Sequence, residues 1–215
     1  MKKSLYSLML MDNVVDRIDR LAHARGTSRS GLINQILADY VSVQTPEQRI
    51  RQIFSCIEDV LEPERFVPFP APNAMTLARK SSLAYKYRPT VRYEIAMRRE
   101  MQNGVFGTLT VVFRTQSTEL LQKIRDFCTL LVRLERACLP QEQSAQIQYA
   151  YEDGKFTRTL YFLQENGWNA ERLSRAISDY IRLFDTLLKE YLDVGSEEQT
   201  ALHYRKWLAD GALPV

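Results

Sequence analysis

The opening of the chain changes its hydrophobic period within a few residues, and this change limits what the segment can form. In the stretch LYSLML, residues 5–10, side chains alternate between two faces as in a strand. From Asp12 onward the apolar spacing becomes that of an amphipathic helix. The sequence therefore predicts one short strand followed directly by helices. The two strand faces are Tyr6, Leu8 and Leu10 on one side, and Leu5, Ser7 and Met9 on the other.

Two helices are predicted after this strand. Asp12 or Asn13 is expected to cap the first helix, and Gly26 to end it. Thr27 or Ser28 is expected to cap the second. The apolar stripe of the first helix is Val14, Val15, Ile18, Leu21 and Ala22, and that of the second is Leu32, Ile33, Ile36, Leu37, Tyr40 and Val41.

A lone strand with two helices cannot stand by itself. Its backbone groups are unpaired on both edges, and its core is too small to offset the conformational entropy of the chain. The simplest remedy is a second copy whose strand pairs antiparallel with the first about a two-fold axis. The pattern therefore predicts a homodimer.

The same residues carry a resemblance to a known family. The stretch LMDNVVDRIDRLAHARGTSRSGLINQIL, within Lys3 to Val41, resembles the ribbon-helix-helix DNA-binding domains of the MetJ/Arc type. The turn G-T-S-R-S, from Gly26 to Ser30, is the most specific part of the match. The resemblance covers about a fifth of the chain and predicts a domain over residues 1–45.

This resemblance implies an intertwined dimer whose two-stranded ribbon lies in the major groove of double-stranded DNA. The outward ribbon residues would contact bases, and the start of the second helix would hold a phosphate. The implied DNA-binding residues are Lys2, Lys3, Leu5, Ser7, Met9, Ser28 and Arg29. The implied dimer core is Tyr6, Leu8, Leu10, Val14, Ile18, Leu21, Leu32 and Ile36.

One departure from the family pattern leaves a second interpretation open. Outward ribbon positions in this family are usually polar or basic, but here Leu5 and Met9 are apolar. Apolar side chains contact thymine methyl groups but make no bidentate base pairing of the Arg–guanine kind. The alternative is a chaperone-like or antitoxin-like interaction protein, in which the ribbon only dimerises and the rest of the chain binds a protein.

Residues 46–215 are predicted to form an α+β domain. Helical periods occupy residues 47–61, 117–139 and 169–192, with a Pro-rich connector between Pro63 and Pro72. Two hairpins turn at Asn103-Gly104 and Asp153-Gly154, and residues 77–87 supply a further strand. A short helix closes the chain and docks on its own domain or on a partner subunit. We expect an antiparallel sheet with helices on one face. This element order is similar to that of the type III secretion chaperone-like fold, which by itself implies no function.

Residue types that support catalysis are sparse. The chain has two histidines, His23 and His203, and lacks a P-loop, a nucleophile elbow and a dinucleotide-binding motif. We therefore expect no enzyme activity, no metal and no cofactor. Three widely spaced cysteines predict free thiols. With no signal sequence or membrane-length apolar run, the chain is predicted to be soluble and cytoplasmic.

The partners expected are DNA, a second copy of the chain and an effector or protein bound by the larger domain. The net charge of +3 suits DNA without requiring it. Basic strand residues form either an anion-binding sheet face or the solvated side of a half-buried sheet. They are Arg92, Arg98, Arg99, Arg114, Lys155 and Arg158.

Overall fold

The structure, a computed structural model, describes residues 5–41, 43–86, 88–162, 170–212 and 215. The chain divides into two compact units, residues 1–49 and 50–215, close to the predicted boundary at residue 45. The helices are α1 Asp12–Ala24, α2 Arg29–Tyr40, α3 Pro46–Val60, α4 Thr118–Cys138, α5 Gln141–Gln146, α6 Ala170–Val194 and α7 Glu197–Ala209. The strands are β1 Val67–Pro68, β2 Thr76–Ser82, β3 Thr90–Gln102, β4 Val105–Arg114, β5 Tyr149–Glu152 and β6 Lys155–Tyr161.

The first unit contains the two predicted helices, α1 and α2. Gly26, at φ +61°, follows the end of α1. There its N–H donates to the His23 carbonyl at 3.1 Å, and the Thr27 N–H donates to the Ala22 carbonyl at 3.0 Å. These two hydrogen bonds form a helix-ending motif in which glycine is favoured, because its φ is in the left-handed region. The prediction that Gly26 ends the helix is therefore confirmed.

The helix caps are partly as predicted. Ser28 caps α2, and its hydroxyl oxygen accepts a hydrogen bond from the Gly31 N–H at 3.1 Å. Capping of α1 by Asp12 or Asn13 is wrong, because both residues lie inside the helix and Met11 precedes it without a side-chain cap. Asp12 instead lies in the first turn, where its negative charge interacts favourably with the positive end of the helix dipole.

The second unit is built on one antiparallel sheet. In the described residues its strand order is β1-β2-β3-β4-β6-β5. Both predicted hairpin turns are confirmed, with φ values of 50° and 81° at Asn103-Gly104 and 48° and 68° at Asp153-Gly154. Positive φ at both central residues matches the right-handed twist of the flanking strands. The predicted strand within residues 77–87 is confirmed as β2.

Two elements were not predicted. The strand β1 lies inside the Pro-rich connector and has only two residues, which pair with Lys80 and Arg79 of β2. The helix α5, Gln141–Gln146, is too short to show a helical period and has no buried residue. Both depend on neighbours distant in sequence. The predicted turn at Asn166-Gly167 and the predicted cap Asn169 lie outside the described residues.

The core lies on one face of this sheet, as predicted. Strand residues on that face pack with buried residues of α3, α4 and α6. Phe184 of α6 occupies the centre, with its ring centroid 6.1 Å from Tyr93, 5.4 Å from Phe127 and 5.6 Å from Phe156. Burying each such side chain contributes roughly 1.5 to 3 kcal/mol. Phe184 thus joins two strands and two helices.

The helix α7 docks on its own unit, which decides between the two predicted placements. Tyr204 is fully buried, and the ring centroid of Trp207 lies 5.9 Å from Tyr204 and 6.4 Å from Tyr180 of α6. The sequence pattern predicts Leu202, Trp207 and Leu208 as the apolar residues of this helix, but Leu202 is 69% exposed. Tyr204 and Trp207 thus make ring contacts, and Ala201 and Leu208 also pack against the core.

A charged pair is buried within this core. Arg158 of β6 and Glu135 of α4 are both fully buried, and the Arg158 Nε donates to Glu135 Oε2 at 2.7 Å. The Tyr149 hydroxyl donates to the same oxygen at 2.7 Å, and the Tyr180 hydroxyl donates to Oε1. Burial raises the pKa of Tyr180, so its hydroxyl stays protonated as a donor. Arg158 therefore belongs to the core and not to a basic surface, which corrects that prediction.

A second buried carboxylate, Asp185, joins α6 to the sheet. It accepts hydrogen bonds from Ser81 at 2.6 Å, Tyr93 at 2.9 Å, Arg65 at 2.7 Å and Lys189 at 2.7 Å. Burial alone raises the pKa of Asp185, but the hydrogen bonds from Lys189 and Ser81 and the positive charge of Lys189 outweigh it. The pKa of Asp185 therefore lies below its ordinary value.

We expect Glu135→Gln to lower the free energy of unfolding by about 3 to 5 kcal/mol, because it leaves the Arg158 charge uncompensated in the core. Replacing both residues, with Glu135→Leu and Arg158→Met, should cost less, since the Arg158 Nη2 already has no partner among the described residues. Urea denaturation measures both. The control Glu119→Gln, in an exposed pair with Lys123 on the same helix, should cost under about 1 kcal/mol.

The lowered pKa of Asp185 predicts acid sensitivity. The folded protein holds the Asp185 proton more weakly than the unfolded chain, so this stabilisation is complete above about pH 4 and is lost as the pH falls. In Asp185→Asn this contribution is absent. Denaturation between about pH 3 and pH 7 gives the slope of the unfolding free energy against pH, which reports the protons taken up on unfolding. In the variant this number should be lower by up to about one. An unchanged slope would contradict the assignment.

Candidate nucleic-acid interface

The segment that precedes α1 is apolar, exposed and without regular secondary structure. Leu5 and Met9 are 98% and 101% exposed, and Tyr6, Leu8 and Leu10 are also exposed. In the single chain residues 5–11 form no strand. The predicted ribbon needs a second chain to complete its pairing, so it stays a prediction.

Exposed apolar side chains are concentrated in the first unit. Of the fifteen large hydrophobic residues that are exposed in the described part of the chain, twelve lie between residues 5 and 43. Such a concentration of exposed apolar side chains is typical of an interaction surface. The twelve are Leu5, Tyr6, Leu8, Met9, Leu10, Met11, Leu21, Ile36, Leu37, Tyr40, Val41 and Val43.

The predicted dimer core divides into two groups. Ile18 and Leu32 are buried together with Ala22, and Val14 and Ile33 pack against them, so these residues hold α1 to α2 within one chain. The remaining predicted core residues are exposed in the single chain. They are Tyr6, Leu8, Leu10, Leu21 and Ile36.

The start of α2 has the geometry of an anion site. Ser28 uses its hydroxyl to cap the Gly31 N–H, and the Leu32 N–H donates to the Ser28 carbonyl at 2.9 Å. Helix geometry leaves the N–H groups of Arg29 and Ser30 without an intrahelical acceptor. Together with the positive end of the helix dipole, these donors favour a negative group.

Arg29 already has an anionic partner within its own chain. Its guanidinium forms a two-point ion pair with the Asp19 carboxylate of α1. Hydrogen bonds from Arg29, with its positive charge, hold the pKa of Asp19 below its ordinary value. Both side chains are exposed, so the pair is screened by solvent. No pattern in the sequence indicated this pairing, because the two residues are ten apart on different helices.

The remaining predicted contacts lie at the chain start. Ser7 is exposed between Tyr6 and Leu8. The predicted phosphate contacts Lys2 and Lys3 lie outside the described residues. The structure therefore brings together Ser28 and Arg29 at one turn, with Leu5, Ser7 and Met9 on an exposed segment of the same unit.

The second unit offers an open groove. It has a volume of about 1630 Å³ and lies between the loop from β2 to β3 and the segment from β4 to α4. Tyr85, Arg88 and Arg114 line it, with Glu119 as an acidic residue. Among the described residues, this lining contains neither a histidine nor a cysteine.

Other reactive groups are dispersed. The part of the chain that the structure describes holds no cluster of His, Cys, Asp and Glu that would bind a metal. The three cysteines are free, and burial raises the pKa of Cys128, which keeps its thiol protonated. His203 contacts Glu190 at 2.8 Å on the surface. Within the described ranges, no helix has the length and apolarity needed to cross a membrane.

Comparison with known proteins gives no match to a family model, a curated protein or a solved structure.

We expect the exposed segment to control self-association. Leu8→Asp, on the predicted inner face of the ribbon, should abolish the dimer, because a dimer would bury an unpaired carboxylate. Leu5→Asp, three residues earlier on the opposite face, should leave the dimer intact. Light scattering over a concentration series measures the mass of each variant. Equal loss of the dimer in both variants would contradict the assigned faces.

Proposed function

We propose that this protein is a homodimeric DNA-binding transcriptional regulator. Two copies of the segment at residues 5–10 pair as an antiparallel ribbon that enters the major groove of a short palindromic site. The second unit then binds an effector or a protein, or sets the oligomeric state. The ribbon-helix-helix assignment belongs to this proposal.

The exposed apolar segment before α1 carries the proposal. Residues 5–11 form no strand within the single chain, and their apolar side chains are exposed. Pairing with a second copy would give these residues strand hydrogen bonds and bury one face of the segment. It also brings Tyr6, Leu8 and Leu10 together across the two-fold axis, where they form a shared core.

The turn between the helices supplies the phosphate contact. Backbone N–H groups at the start of α2 point toward an incoming anion, and Ser28 keeps that helix end in place. Such contacts fix the register of the ribbon on the duplex. Base contacts from the ribbon then carry the sequence preference.

Asp19 competes with DNA for Arg29 in this proposal. Since the ion pair is exposed, it contributes little stability, and Arg29 is available to exchange the carboxylate for a phosphate. Binding then replaces one ionic partner with another. The DNA affinity is lowered by the free energy of the pair that is broken.

A second function is favoured by one observation. Leu5 and Met9, which would face the bases, are almost completely exposed and apolar. Such a surface also suits a protein partner, in which case the ribbon only dimerises and the second unit binds a client. The two functions differ in whether the protein binds duplex DNA in a salt-dependent way.

We expect substitutions of the Arg29–Asp19 pair to change DNA affinity in opposite directions. Arg29→Ala should weaken binding by roughly 1.5 to 3 kcal/mol, as expected for a lost hydrogen bond to a charged group. Asp19→Asn should strengthen binding, because it frees Arg29. Fluorescence anisotropy with duplexes selected from a random pool measures both.

The control is Arg133→Ala, which removes an exposed cation from α4 and should leave the affinity unchanged. Absence of duplex binding at low salt would exclude the regulator and favour the interaction protein. Weakening by both Arg29→Ala and Asp19→Asn would show that the pair maintains the fold rather than binding phosphate.

A further inference from the structure

The sheet of the second unit has a face opposite its core that the helices leave open. Along β4 and β6, residues 109, 111, 156 and 158 are buried on the core side. On the opposite side, four threonines are only partly buried and Lys155 is exposed, whereas Val112 is buried. The threonines form two directly opposed pairs, Thr108 with Thr159 and Thr110 with Thr157. We refer to this side, with the alternate residues of the adjacent strands, as the outer face. It presents threonine hydroxyls as hydrogen-bond donors.

A row of cations crosses the outer face. The strand register places Lys80 opposite Arg92, Arg92 opposite Val112, and Val112 opposite Lys155. At a strand spacing of about 4.8 Å the row extends roughly 14 Å from β2 to β6. Arg114, exposed at the end of β4 two residues beyond Val112, adds a fourth cation on the same side.

Two carboxylates also lie on the outer face. Glu94 forms an ion pair with Arg92 at 2.9 Å, and Glu152 is opposite Lys155 in the hairpin. The four cations therefore exceed the carboxylates by two. The basic strand residues predicted from the sequence are thus divided. Arg92, Arg114 and Lys155 lie on this face, and Arg158 lies inside the core. Arg98 and Arg99 are exposed in β3, where its pairing with β4 is irregular.

The composition of the outer face fits an extended polyanion better than an apolar protein surface. Among the described strand residues, the only large hydrophobic side chain exposed here is Val67, at the edge in β1. The aromatic ring of Phe69 lies under the Arg92 guanidinium, 5.0 Å from its carbon, and so is not open to stack a base. Cations with hydroxyl donors on a flat surface are the groups that contact phosphate oxygens.

We propose that the outer face is a second DNA-binding surface, which contacts the phosphodiester backbone of duplex DNA without reading its sequence. Lys80, Arg114 and Lys155 carry the charge contacts, and the threonine hydroxyls donate to phosphate oxygens. This surface acts through unit two alone. It therefore does not require the ribbon of the proposed function.

The test uses the full-length protein and a non-specific duplex of about 20 base pairs, with affinity measured from about 50 to 200 mM salt. The triple variant Lys80→Gln, Arg114→Gln and Lys155→Gln should reduce the slope of log affinity against log salt by up to about 2.7, or about 0.9 per lost phosphate contact. Near 0.1 M salt the affinity should fall roughly ten- to a hundred-fold.

A matched control removes the same charge from the helical side. Lys123→Gln, Arg133→Gln and Arg175→Gln neutralise three exposed helix cations and should leave the slope unchanged. If both triple variants reduce the slope equally, only the net charge matters and the proposal is overturned. If the triple variant unfolds, Lys155→Gln alone gives the same test, with an expected slope change of about 0.9.

Arg29→Ala separates this proposal from the function of the ribbon. If the slope of log affinity against log salt is reduced in the outer-face triple variant but not in Arg29→Ala, the second surface is supported. The same result counts against the phosphate contact at α2. A slope that falls only in Arg29→Ala overturns the second surface and leaves the proposed regulator standing. One strand of this duplex, tested alone, should bind more weakly than the duplex. Tighter binding of the single strand would overturn the assignment to duplex DNA.

Discussion

Apolar side chains are much better buried in the second unit of this protein than in the first, and the proposed ribbon depends on that difference. Residues 50–215 enclose a core between one sheet face and three helices, with Phe184 at its centre. Among the described residues of the first unit, the buried apolar cluster is Ile18, Ala22 and Leu32. Because apolar burial is the main favourable contribution to folding, we expect the first unit to gain stability from another surface.

In the second unit, charged side chains on the two faces of the sheet have different environments. Glu135, Arg158 and Asp185 are buried on the core side of the sheet, where each must be compensated by hydrogen bonds. The cations of the outer face remain in contact with water. Two arginines of the same sheet, Arg92 and Arg158, thus have different roles because alternate strand residues face opposite sides.

The two proposed DNA contacts differ in kind. The ribbon and the start of α2 would position the protein and read bases, whereas the outer face would add affinity that depends on salt and not on sequence. Such a division is physically reasonable for a ribbon with apolar outward residues, since Leu5 and Met9 offer few hydrogen bonds to bases. Backbone contacts elsewhere would then supply part of the binding free energy.

The sequence by itself determined the local elements: both hairpin turns, the Gly26 helix end, a cap of α2 at Thr27 or Ser28, and the periods of the long helices. These depend on backbone preferences and on side-chain spacing within a few residues. Only the tertiary structure decided that Arg158 is buried beside Glu135, that Arg29 pairs with Asp19, that β1 joins the sheet, and that α7 docks on its own unit. Each of these joins residues distant in sequence or on different elements, and a pattern of neighbouring residues contains no information about which distant side chain will be close in space.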